Sequence, residues 1–336
     1  MTSFRVGFRQ GAITDPARSD WSGDGARPIR WSAWYPAAEC ALPARMPAEP
    51  ALFVTEPVAP DAPLNDERAA FPVVLMSHGT GGTAAELAWL AHRLAGAGFI
   101  VIGVDHHGNT ASEALRPEGF LCWWERAGDL SVILDRLAED AFFAGRLDMA
   151  RVSALGFSLG GHTVLALAGA ITEVARFHDW AAATGAGIGP RALPDLAAHI
   201  ARLMRDSPVF RSSWERQSVS YRDPRMKAVV ALAPAPPVRA FTPDSLAAVT
   251  VPVSLMVGEA DHDAPAEVGA AWLYRHLPHG RLDLLGPDVG HLTLLNEGTE
   301  AGRASDPDRY IDAPGVDRRA VHDRVLRITL KALGGT

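Results

Sequence analysis

Three side chains, each placed just beyond a short apolar run, carry the types and order needed for covalent acyl chemistry. The first is Ser158 in Gly156-Phe157-Ser158-Leu159-Gly160, a G-x-S-x-G turn. The apolar run Val152–Leu155 precedes it as a strand, and an Ala/Leu-rich stretch from Leu159 follows it as a helix. A serine at that corner takes a strained backbone, and its hydroxyl projects above the sheet. A serine hydroxyl is a poor nucleophile until a base removes its proton, and the base needs a carboxylate to orient it. His291 in Gly286-Pro-Asp-Val-Gly-His291 suits the base, and Asp261 in Gly258-Glu-Ala-Asp261 suits the carboxylate. A tetrahedral intermediate also needs N–H donors. Leu159 supplies one at a helix N-terminus, and Thr80 in Ser77-His78-Gly79-Thr80-Gly81-Gly82 supplies another.

Each part alone has a plainer reading: an idle serine in a glycine-rich connection, a turn-forming aspartate, a loop histidine. Their joint occurrence in the order Ser158, Asp261, His291, each after a strand, favours the catalytic reading. Asp263 and Asp288 compete for the carboxylate role, and the G-x-x-D spacing from Gly258 favours Asp261. Cys122, in Phe120-Leu-Cys-Trp-Trp124, has no elbow around it. Asp105, His106 and His107 are adjacent, so their side chains do not converge on one ion, and they read as pocket-rim residues. No metal or other cofactor is expected.

The elements that must position these groups alternate from Phe71 onward. Val73–Met76, Ile100–Val104, Val152–Leu155, Ala228–Leu232, Val253–Val257 and Arg281–Leu285 read as strands, separated by helical patterns. Thr83 and Glu86 have the spacing of a capping box before a helix carrying Leu87, Leu90 and Leu94. Leu130, Ile133, Leu134 and Leu137 mark another helix, and Pro265–Leu277 and Asp317–Leu333 the closing ones. This alternation predicts an α/β protein with a mostly parallel sheet covered on both faces. Ahead of it, the stretch from Phe4 to Tyr35 reads as opening strands, with Trp31 and Trp34 as packing residues. Residues 36–72 are proline-rich and read as an extended surface loop.

Between Ile171 and Arg225 the rhythm lapses into helical spacing without an apolar strand, as in Ala192–Met204. The expected organisation is a core of residues 1–170 and 226–336, with 171–225 inserted as a helical cap over Ser158. Expected substrate contacts are His78, His106 and Phe157 near the strand ends, with Phe210 and Trp214 from the cap; Phe177 and Trp180 are further candidates for its apolar wall.

Composition narrows the function classes. A net charge of −7 over 336 residues, without a dense Lys/Arg cluster, argues against nucleic acid or an anionic membrane as partner. Two cysteines, Cys40 and Cys122, are too few for a disulfide framework and leave room for one bridge. The N-terminal residues lack the apolar core of a signal peptide, and no run reaches membrane-spanning length. A cytoplasmic enzyme acting on a small molecule is expected.

From about residue 71 to 333 the chain resembles the α/β-hydrolases. Val6-Gly-Phe8, Asp15 with Arg18, Trp34-Tyr-Pro36, the Ser77-His-Gly-Thr-Gly run and Gly290-His291-Leu-Thr resemble predicted dienelactone hydrolases related to platelet-activating factor acetylhydrolase. Ala88-Trp-Leu-Ala-His-Arg-Leu-Ala-Gly-Ala-Gly-Phe-Ile-Val, with Asp105-x-x-Gly-Asn109-Thr110, is similar to bacterial cutinase-like polyesterases. The resemblance implies a serine esterase with Ser158 as nucleophile, His291 as base, Asp261 as its orienter, and Thr80 and Leu159 as oxyanion donors. True dienelactone hydrolases use a cysteine where this elbow holds Ser158. Amide or lactam hydrolysis by the same machinery, and a non-catalytic binding role on the same fold, are the alternatives.

Overall fold

The computed structural model describes residues 3–44, 52–190 and 193–334. The strands are β1 (Arg5–Ser19), β2 (Ala26–Ala37), β3 (Ala59–Pro60), β4 (Phe71–Ser77), β5 (Ile100–Asp105), β6 (Leu147–Phe157), β7 (Met226–Leu232), β8 (Val253–Val257) and β9 (Gly280–Leu284). They form one sheet in the order β3-β1-β2-β5-β4-β6-β7-β8-β9. From β5 to β9 every neighbouring pair is parallel, while β1 pairs antiparallel with β2 and β2 with β5. Inside the sheet the parallel strands are the apolar runs of the sequence, because covering both faces removes any reason to alternate, whereas the edge strand β9 (Gly280-Arg-Leu-Asp-Leu284) alternates and is partly exposed. Every residue of β4 is buried, as is every residue of β8.

The α-helices are α1 (Ala88–Gly96), α2 (Pro117–Leu121), α3 (Glu125–Glu139), α4 (Leu159–Ala168), α5 (Val174–Thr184), α6 (His199–Asp206), α7 (Pro208–Glu215), α8 (Pro243–Ala247), α9 (Ala270–His276), α10 (Glu300–Ser305), α11 (Pro307–Tyr310) and α12 (Arg318–Ala332). α4 is buried on all sides, as its all-round apolar sequence requires. It packs against α3, β6 and β7, while α1 packs with α12.

Some local expectations are corrected. Thr83 makes no side-chain cap, so only half of the capping box forms: the Glu86 carboxylate accepts from the Thr83 N–H and pairs with Arg309. The open N–H of Ala84 goes to Asp105 Oδ1 at 2.8 Å, a stronger acceptor than a hydroxyl. The proline-rich stretch is tied to the core in part: Ala59 and Pro60 pair with Gly7 and Phe8, and Leu64 bridges to Ala37. Residues 45–51 of that stretch lie outside the described residues, as does Ala192, where a helix was expected to begin. The helix there starts at His199, after a short 3-10 turn over Leu196–Ala198. Cys40 is exposed, Cys122 is buried, and both thiols are free.

The segment 171–225 contributes α5, α6 and α7 and no strand among its described residues. Its apolar side chains join a second buried cluster, separate from the main core, that includes Trp123, Trp124, Phe177, Leu203, Phe210 and Leu159. Leu159 follows the elbow serine, so these helices pack at the carboxyl end of the sheet beside the elbow.

Candidate active site

The elbow is shaped by close backbone approach. A Cβ on Gly156 would collide with the carbonyl of Gly160, and one on Gly160 with the carbonyl of Ser77. Both positions therefore require glycine for α4 to leave β6 so sharply and lie against the end of β4. Between them Ser158 has φ 54° and ψ −118°, outside the region that L-residues favour. Its own N–H donates to Leu232 O at 2.8 Å, and its carbonyl accepts from Gly161 and Ala235. The strained corner is thus held from β7 and from its own helix.

Ser158 Oγ lies 3.0 Å from His291 Nε2, and His291 Nδ1 lies 2.7 Å from Asp261 Oδ2. The carboxylate is acceptor-only, so the Nδ1 proton faces Asp261 and Nε2 is free to accept from the serine. Asp261 Oδ1 also accepts from Ala264 N at 2.6 Å, which fixes the carboxylate plane. Asp263 and Asp288 are exposed. The Phe157 ring lies 4.7 Å from the His291 ring and packs on it. Ser158, Asp261 and His291 are all largely buried, at 7%, 3% and 9% exposure.

The loop after β4 runs past the elbow. A Cβ on Gly79 would stand 3.2 Å from Ser158 Cβ, so this loop borders the serine directly. Thr80 follows at an exposed turn, and Leu159 opens α4, where first-turn N–H groups lack an intrahelical acceptor. Gly81 N donates to Asn109 Oδ1 at 2.6 Å, and Asn109 Nδ2 donates to Gly119 O at 3.1 Å. Asn109 thereby ties the loop after β4 to the loop after β5.

Three expected substrate contacts, His78, His106 and Phe210, are fully buried. Neither histidine therefore presents a surface to a ligand in this conformation. His106 Nδ1 contacts Asp129 Oδ2 at 3.0 Å and its Nε2 contacts Ser77 Oγ at 2.9 Å. Burial, with the nearby Arg126 charge, lowers the His106 pKa to about 3, and His78 is likewise pushed well below its usual range. Phe210 is fully buried and packs on Trp214 at 5.3 Å, inside the helical segment. Trp214 is half-buried and edge-on to Trp124 at 5.7 Å. Phe177 is buried edge-on to Trp123, while Trp180 lies under the Arg239 guanidinium. Of the other residues read as pocket rim, Asp105 is half-buried and accepts from Ala84 N, and His107 is engaged by Glu113 and Trp21.

Sequence reasoning missed the hub beneath this loop. Asp129 accepts from Arg18 Nη2 at 2.7 Å, from Arg27 Nε at 2.7 Å and Nη2 at 3.0 Å, and from His106. Burial alone would raise its pKa, but Arg27 and Arg18 outweigh burial and hold the carboxylate well below its usual range. One signal was present: Glu125, Arg126 and Asp129 are charges on the buried side of α3, the side that also carries Leu130 and Ile133. Arg126 is buried with no carboxylate partner among the described residues and donates to the His78 carbonyl; burial lowers its pKa to about 9. Among the described residues no group of His, Cys, Asp and Glu is arranged to hold a metal ion, and no helix is long and apolar enough to cross a membrane.

A family model described as PET hydrolase-like matches residues 63–184. That span holds the loop after β4 and the elbow, but not Asp261 or His291. Cutinase 2 of Thermobifida cellulosilytica is 36% identical over 104 residues, which is 30% of this chain and 36% of that protein. Cutinase cut1 of Thermobifida fusca is also 36% identical over 104 residues, covering 30% of each chain. The chain thus spans about a third of the length of the curated relatives it matches. Among solved structures, a ferulic acid esterase from Streptomyces cinnamoneus superposes with a TM-score of 0.63 at 19% identity, covering 99% of this chain and 91% of that one. The chain has the α/β-hydrolase fold, with similarity to cutinases in its sequence.

Proposed function

We propose that the protein is a serine hydrolase of carboxylic esters, working through an acyl-enzyme on Ser158. The observation that carries this reading is the chain Ser158 Oγ, His291, Asp261, at 3.0 Å and 2.7 Å, on a serine held at φ 54°. The similarity to cutinases supports the ester class.

In this mechanism the Ser158 oxygen attacks the ester carbonyl carbon while its proton passes to His291 Nε2. Asp261 stabilises the resulting imidazolium across Nδ1. The carbonyl oxygen becomes an oxyanion and is met by the N–H groups of Thr80 and Leu159. Collapse breaks the C–O bond to the alcohol, which leaves with the proton from His291. Water, deprotonated by the same nitrogen, then attacks the acyl-serine, and a second collapse releases the acid and restores the Ser158 hydroxyl. No cofactor enters these steps. We assign residues 1–170 and 226–336 to the catalytic core and 171–225 to a helical cap beside the elbow, which bounds the acyl or alcohol side.

The test is turnover of p-nitrophenyl esters of increasing chain length, an anilide panel alongside, and labelling of Ser158 by a fluorophosphonate. Ester turnover with Ser158 labelling is expected. Labelling with anilides preferred over esters would move the reading to amide hydrolysis. Neither turnover nor labelling would leave a non-catalytic fold.

A further inference from the structure

We propose that His78 is a positioning residue that aims the Thr80 N–H at the reacting carbonyl, and that the backbone N–H of His106 sets its tautomer. The inference rests on the ester-hydrolase reading and adds to it how the donor from the loop is kept in place.

The tautomers follow from the contacts. Asp129 is ionised and acceptor-only, so the His106 Nδ1 atom 3.0 Å away carries its proton. His106 is neutral, and its Nε2 accepts from the Ser77 hydroxyl at 2.9 Å. The His106 backbone N–H donates to His78 Nε2 at 3.0 Å, which makes that nitrogen an acceptor. The proton of His78 therefore sits on Nδ1, which donates to Gly79 O at 2.6 Å. Arg126 Nη2, 3.4 Å from Nδ1, faces an N–H there and directs its hydrogen bond to the His78 carbonyl.

Two consecutive carbonyls of the loop, those of His78 and Gly79, are thus held by buried donors. In a trans peptide the N–H points opposite to the C=O. Fixing Gly79 O fixes the N–H of Thr80 in the opposite direction, and Gly79 itself lies against Ser158. A glycine-rich loop, Gly79-Thr80-Gly81-Gly82, has little intrinsic reason to keep one peptide orientation beyond the long bond from Gly82 N to Gly79 O at 3.4 Å. Holding the two carbonyls from below supplies that reason, and leaves the N–H ready without reorganisation when the oxyanion forms.

Two isosteres separate this role from packing. Asn at position 78 puts its amide nitrogen where Nδ1 stands and keeps the donor to Gly79 O. Gln puts its amide where Nε2 stands and loses that donor. For a short p-nitrophenyl ester, His78→Asn is expected to keep kcat within about tenfold of wild type, and His78→Gln to lose on the order of 10²- to 10³-fold, the loss of one oxyanion donor. KM is expected to change less than about threefold in both, since the donor acts on the transition state. Fluorophosphonate labelling of Ser158 is expected to slow in the same order. Equal kcat in the two variants, or losses that follow their melting temperatures, would overturn the role. Nitrogen-15 imidazole spectra of the wild-type protein test it without any variant: the Nδ1–H tautomer at His78 is required, and the Nε2–H tautomer would refute it. Wild-type protein with neither turnover nor labelling would sink the ester reading itself, whereas active wild type with equivalent Asn and Gln variants would sink only the role of His78.

Discussion

Gly160, the second glycine of the elbow, lies so close to the carbonyl of Ser77 that a methyl group between them has no room. The contact joins the helix opened by Leu159 to the strand end that leads into Thr80, the two residues proposed as oxyanion donors. The obstacle is backbone, which cannot rotate aside as a side chain does. Gly160→Ala is therefore expected to separate the two, with kcat for a short ester falling at least 10²-fold and stability falling by about 1–3 kcal/mol. Steady-state kinetics with urea unfolding checks both, and a variant with wild-type kcat would show that the loop and helix move independently.

The strained serine gives a second expectation. Ser158→Ala and Ser158→Gly both remove the nucleophile, and turnover is expected to vanish in each. They differ in the backbone, since φ 54° is costly for alanine and easy for glycine. Despite the greater chain entropy of glycine in the unfolded state, Ser158→Gly is expected to be more stable than Ser158→Ala by about 1 kcal/mol. Denaturant midpoints decide it, and the reverse order would mean that the corner carries no strain.

Acid should destabilise the fold in a window set by buried histidines. Burial, with the Arg126 charge, lowers His106 and His162 to about 3; burial, only partly offset by the hydrogen bond that His322 donates to the Thr293 carbonyl, lowers His322 to about 4. Unfolded, each titrates near 6.5. Below that value the unfolded chain takes up protons that the native state refuses, so the stability present above pH 6.5 is lost as pH falls toward 3–4. Each such group removes about 1.4 kcal/mol per pH unit once pH is well below 6.5. Unfolding free energies at pH 7.5, 5.5 and 4.5 are expected to fall with increasing slope, and a flat profile would refute neutral burial.

What the sequence made legible is what local pattern encodes. The strand-to-helix corner at Ser158 is contiguous, and its glycines signal close approach within five residues. The inner parallel strands, such as β4 and β8, declare themselves as apolar runs because both faces are buried. The Asp129 hub is of another kind: Arg18 and Arg27 meet it across separations of 111 and 102 residues, which no local spacing records. His78 and His106 were readable as strand-end residues, but not the direction of their rings, and the structure turns both away from solvent. Thr83 and Glu86 matched a helix-capping spacing, yet the Thr83 hydroxyl makes no cap, and Asp105, brought in from the next strand, takes the Ala84 N–H beside them.

The helical segment beside the elbow is fastened to the core at Glu125, and this latch supports the last prediction. Glu125 Oε1 accepts from Ser213 Oγ at 2.6 Å and from Arg216 Nη2 at 2.9 Å, both from the segment, while Oε2 meets Arg18 Nη1 at 3.2 Å. Trp124 Nε1 adds a bond to Ser213 O at 3.1 Å. Burial alone would raise the Glu125 pKa, but Arg27 and Arg18 hold it below its usual range, so the carboxylate stays charged in place. Removing the buried carboxylate takes the acceptor from Ser213 and Arg216, while Arg18 keeps Asp15 and Asp129, a loss of about 1–3 kcal/mol. Glu125→Gln keeps the shape and one acceptor oxygen but not the charge, and is expected to cost less than Glu125→Ala. Because the lost contacts join segment to core, loosening is expected first in the segment. Trypsin should cut at the exposed Arg202 and Arg205 in Glu125→Gln at urea concentrations where the wild type resists, before the tryptophan signal of global unfolding changes. The preference between short and bulky esters should shift in the same variant more than turnover of the shortest one. Cleavage and global unfolding that coincide would mean that the segment and the core unfold as one unit, with Glu125 an ordinary core residue.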